Sequence, residues 1–167
     1  MSRTSFVEID GRGFWSLDDA LGVWLAYLVE QADRHDRIED GLLSEQVECW
    51  RVAAAITDCG CSVSIETEQQ REWIGEFADA ARRAAVAAGD ITEDRLREWM
   101  IVPDMAVSDG FSRTRGGIGV DRVLEVADGF IALVNGRFPA DPPSGWWFLG
   151  TGAGMQVIKR RSDPAET

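Results

Sequence analysis

The chain has 167 residues, 45% of them apolar and 28% charged, with a formal net charge of −12 at pH 7 and a pI near 4.5. That length suits a single globular domain over residues 1–160 with a flexible tail at 161–167, and no apolar run approaches the roughly 20 residues that a membrane span needs. The acidity argues against nucleic acid, which requires clustered Lys and Arg, and favours a basic protein partner, although an acidic surface also suits a salt-rich solvent.

The first residues reach charge at Glu8 and Asp10 before a signal-peptide apolar region can form. Three cysteines, Cys49, Cys59 and Cys61, are odd in number and too few for a secreted disulfide framework. Both features point to the cytoplasm. Phe6-Val7-Glu8-Ile9 contains the alternation of a short half-buried strand, and Asp10-Gly11-Arg12-Gly13 reads as a turn. Ser16 is a good N-cap for a helix whose first turn carries Asp18 and Asp19 and whose apolar stripe is Leu17, Leu21, Trp24, Leu25, Leu28 and Ala32. A charged loop from Asp33 to Gly41 separates it from a second helix, opened by Ser44 and ending near Gly60. Cys61 to Glu66 reads as a short strand or an extended linker.

Thr67-Glu68-Gln69-Gln70 matches a capping box. The third helix runs from there to about Ala88, with Gly89 as its stop. Its apolar face is Trp73, Phe77, Ala80, Ala81, Ala84 and Ala88, and Glu68, Glu72, Glu76 and Asp79 line another face. Thr92 starts a short fourth helix with Leu96, Trp99 and Met100 inward, ended by Pro103. Residues 103–119 read as loop, and a final helix follows from Val120 to about Asn135, closed by Gly136 and Pro139. Beyond a rigid turn at 140–145, Trp146–Leu149 and Met155–Lys159 read as two strands joined by the glycine-rich Gly150–Gly154. The expected fold is α+β: about five helices packed on a small antiparallel sheet that includes this C-terminal hairpin and the N-terminal strand.

Few motifs carry chemistry. His35 is the only histidine, so Ser–His or Cys–His catalysis has one base to draw on and no nucleophile placed beside it by sequence. No catalytic set is assigned, and whether the chain is an enzyme is left open. His35 with the three cysteines matches no standard zinc spacing, so neither a metal nor a cofactor is expected. Four of the seven tryptophans, Trp24, Trp50, Trp73 and Trp99, fall on helices and are assigned to the core. Trp146 and Trp147 are adjacent in a strand and face opposite ways, which makes one of them a candidate partner contact.

Two candidate sites follow. The stripe Glu68, Glu72, Glu76 and Asp79, with Trp146 and Trp147, is the candidate partner surface, because like charges three and four residues apart destabilise a helix unless something opposes them. The loop before the last helix, with Arg113, Arg115, Gly116, Gly117 and Gly119, is the candidate anion site, since glycines admit a ligand close to the backbone and a helix N-terminus offers free N–H groups. It lacks the P-loop lysine and a preceding strand. The leading expectation is a cytoplasmic domain binding a basic protein, in its concrete form an immunity protein that neutralises a cationic toxin. The alternative is an enzyme or small-ligand binder that holds an anionic group at Arg113–Gly119. A homodimer formed through Trp146–Leu149 is a third reading, and no nucleic-acid or membrane partner is expected.

Overall fold

A computed structural model describes residues 4–35, 41–56, 60–107, 116–137, 146–151 and 156–160, the last two segments by their backbone path. Strands β1 (Thr4–Ile9) and β2 (Arg12–Leu17) pair antiparallel with Ile9 opposite Arg12. Only Asp10 and Gly11 join them, at φ 51° and 75°. Two central residues at positive φ form the hairpin turn whose twist matches the flanking strands, and Asp-Gly is a favoured pair for it. The expected turn through Gly13 is therefore shorter than read, and a second strand occupies Arg12–Leu17.

That strand displaces the start of the first helix. Ser16, expected as its N-cap, is buried within β2, and α1 (Asp18–Asp33) is entered from Leu17 without a side-chain cap. Its first turn is served by acids instead: Asp19 Oδ1 accepts from Ala20 N at 2.7 Å, and buried Asp18 accepts from Ser5 Oγ at 2.7 Å. From Ala20 to Val29 every residue of α1 is buried. The reason is its position, flanked by α2 (Gly41–Ala55), α3 (Glu68–Ala88) and α5 (Val120–Val134).

Helix α2 begins at Gly41, a turn earlier than Ser44, and buries Leu43, Val47, Trp50, Ala53, Ala54 and Ala55. After it, β3 (Cys61–Val63) pairs parallel with β1, Val7 lying opposite Cys61. A parallel neighbour needs a long crossover, which α1 and α2 provide. The sheet order is β3-β1-β2-β6-β7, where β6 (Trp146–Thr151) and β7 (Gln156–Arg160) form the expected C-terminal hairpin. The other strand pairs of this sheet are antiparallel. The architecture is α+β: among the described residues, five helices with small, mainly antiparallel sheets.

Between α3 and α5 lie α4 (Glu93–Glu98), β4 (Met100–Val102) and β5 (Met105–Ala106). Thr92 caps α4 as expected, accepting from Arg95 N at 3.2 Å. Leu96 and Trp99 enter the core, but Met100, expected inward, is 61% exposed because it starts a strand and no longer follows helical spacing. The β4–β5 hairpin turns at Pro103 and Asp104, within a stretch read as loop. The centre of the core is aromatic. Phe130 of α5 meets Trp24 and Trp50 edge-on at 5.8 and 6.2 Å, and Tyr27 meets Trp99 at 4.7 Å.

Candidate functional site

Helix α3 is built to hold one face outward. Thr67 Oγ1 accepts from Gln70 N at 3.2 Å, while Gln70 Oε1 accepts from Thr67 N and Glu66 N at 3.3 and 2.9 Å, so the capping box forms as its sequence requires. The buried face is Gln70, Ile74, Phe77, Ala78, Ala81 and Ala85. It is rotated slightly from the expected one: Trp73, Ala80 and Ala84 are half-buried at its margin, and Ala88 is exposed. The opposite face carries Glu68, Glu72, Glu76 and Asp79, all exposed.

The charges of α3 itself answer this stripe incompletely. Arg71 lies 3.6 Å from Glu68, yet its guanidinium is committed inward, to Asp10 Oδ2 at 3.1 Å and to the Val134 carbonyl at the end of α5. Arg82 turns to Asp128 of α5 at 2.7 Å, and that bond, with a smaller contribution from Asp79, holds its pKa above the ordinary arginine value. Among the described residues Glu72 accepts only from the neutral Gln69 amide, at 3.3 Å. Among the described residues no cation pairs with Glu76 or Asp79 within salt-bridge distance. The like-charge cost along the stripe is therefore offset only in part, by Arg71 at Glu68, by Arg82 near Asp79 and by exposed Arg83 four residues after Asp79.

The second candidate site is divided. Arg113 and Arg115 lie outside the described residues, whereas Gly116, Gly117 and Gly119 are described. Gly116 and Gly117 adopt φ of 100° and 90°. Ile118 then bridges Ile91 through two backbone hydrogen bonds of 2.9 and 2.8 Å. A Cβ on Gly117 would stand 2.3 Å from the Ile91 carbonyl oxygen, so this glycine permits a close approach within the chain. The N-terminus of α5 is taken as well: Asp90 Oδ1 accepts from Val120 N at 2.9 Å. An external anion would share that terminus with a carboxylate. Asp90 lies thirty residues upstream, and local sequence gave no sign of it.

Trp146 and Trp147 fall in β6 opposite Arg160 and Lys159, at successive register positions and so on opposite faces of the sheet. Their side chains lie outside the described residues. Cys49 is exposed on α2, and Cys61 is buried on β3. Burial pushes the Cys61 thiol up to about 12, against a smaller lowering by the Trp50 indole. A thiol held protonated in this way is a packing group and a poor nucleophile. The His35 ring meets that of Phe77 at 5.0 Å, tilted by 57°. No group of three or more His, Cys, Asp or Glu is gathered for a metal among the described residues, and no described helix is long and apolar enough to cross a membrane.

No protein-family model matches the sequence, and no significant match was found among curated proteins or solved structures.

Proposed function

We propose that this chain is an acidic protein-binding domain whose α3 carboxylate face engages a basic partner, and that its concrete role is that of an immunity protein neutralising a cationic toxin. The observation that carries the proposal is the outward stripe Glu68, Glu72, Glu76 and Asp79, four carboxylates beside the three arginines of α3, of which Arg71 and Arg82 spend their main bonds on Asp10, Val134 and Asp128. A row of carboxylates in excess of the cations beside it is available to an external cation. The net charge of −12 would speed the approach of such a partner. The anion-holding alternative at residues 113–119 has less behind it, because the α5 N-terminus already holds Asp90 and Gly117 is explained by Ile91.

The test compares the wild-type chain with the triple variant Glu72→Arg, Glu76→Arg, Asp79→Arg as bait in extracts of the native host. The wild type retains a basic protein whose binding weakens as salt rises above about 0.1 M, where screening acts within roughly 10 Å. The variant, with unchanged circular dichroism, binds it at least tenfold more weakly, about 1.4 kcal/mol. Equal binding by both chains, or a partner indifferent to salt, would refute the proposal.

A further inference from the structure

We draw no further inference here: the strongest candidate, the exposed apolar patch of Val52 on α2 and Ile56 just past its end, beside Cys49, is a surface that nothing among the described residues shows to be covered.

Discussion

Replacing Gly117 with alanine, beside the same change at Gly116, separates two explanations for the glycines ahead of α5. Both residues sit at positive φ, 90° and 100°, so each substitution costs about 1–2 kcal/mol of backbone strain. Gly116 has open space where a Cβ would go, and its loss should end there. At Gly117 the Cβ meets only backbone, Ile91 O at 2.3 Å with Ile91 C and Thr92 Cα at 3.2 Å. The chain must part, and the two hydrogen bonds between buried Ile91 and Ile118 stretch with it. Each contributes about 0.5–1.5 kcal/mol net. Gly117→Ala should therefore cost about 2–5 kcal/mol against about 1–2 for Gly116→Ala, an extra fall in Tm of about 3–10 °C at a few degrees per kcal/mol. Urea denaturation with a common m-value measures the difference. Equal losses at the two positions would mean that Ile91 yields freely, and the packing explanation of Gly117 would fail.

Three further tests probe other joints. Thr67→Ala removes one half of the capping box and should cost about 1 kcal/mol, recovered by Thr67→Ser; a loss under about 0.3 kcal/mol would show that the Gln70 half suffices. A double-mutant cycle of Asp10→Asn with Arg71→Met should give a coupling below about 1 kcal/mol that fades in 1 M salt, since both partners of this 3.1 Å pair are partly exposed. A coupling that survives high salt contradicts that assignment. The Cys61 thiol is raised from an ordinary 9.0 to about 12, so the unfolded chain loses this proton first. Its stabilising contribution is complete below pH 9 and lost as pH climbs from 9 towards 12, with a slope approaching 1.4 kcal/mol per pH unit. Cys61→Ala should flatten the wild-type decline over that range; parallel curves would show that the thiol ionises in the folded state.

Helical period made much of this molecule legible. The capping box, α3 and α5 fall where spacing and turn residues place them, and the C-terminal hairpin forms as expected except that Gly150 and Thr151, read as its loop, extend β6 to pair with β2. Strand β2 was hidden because Ser16-Leu17-Asp18-Asp19 imitates a helix start, while the buried Ser16 breaks the apolar alternation that marks a strand. The Asp10-Gly11 pair is the signal that would have revealed it. Strands β4 and β5, of three and two residues, are too short to show any period. At the candidate site, the carboxylate stripe follows from spacing alone. The diversion of Arg71 to Asp10 and of Arg82 to Asp128 does not, because it depends on partners 61 and 46 residues away. The same is true of Asp90 at the head of α5.

The strand order also sets a schedule for assembly. Residues 12–14 of β2 pair with residues 149–151 of β6, near the opposite end of the sequence. During synthesis β1, β2 and the helices through α5 emerge first, at about 5–20 residues per second. For those seconds the free edge of β2 stands as an open template for any extended chain. The C-terminal hairpin is thus the last piece added to the sheet, and a chain stopped before residue 146 would present the edge of β2 where the complete one presents that of β7.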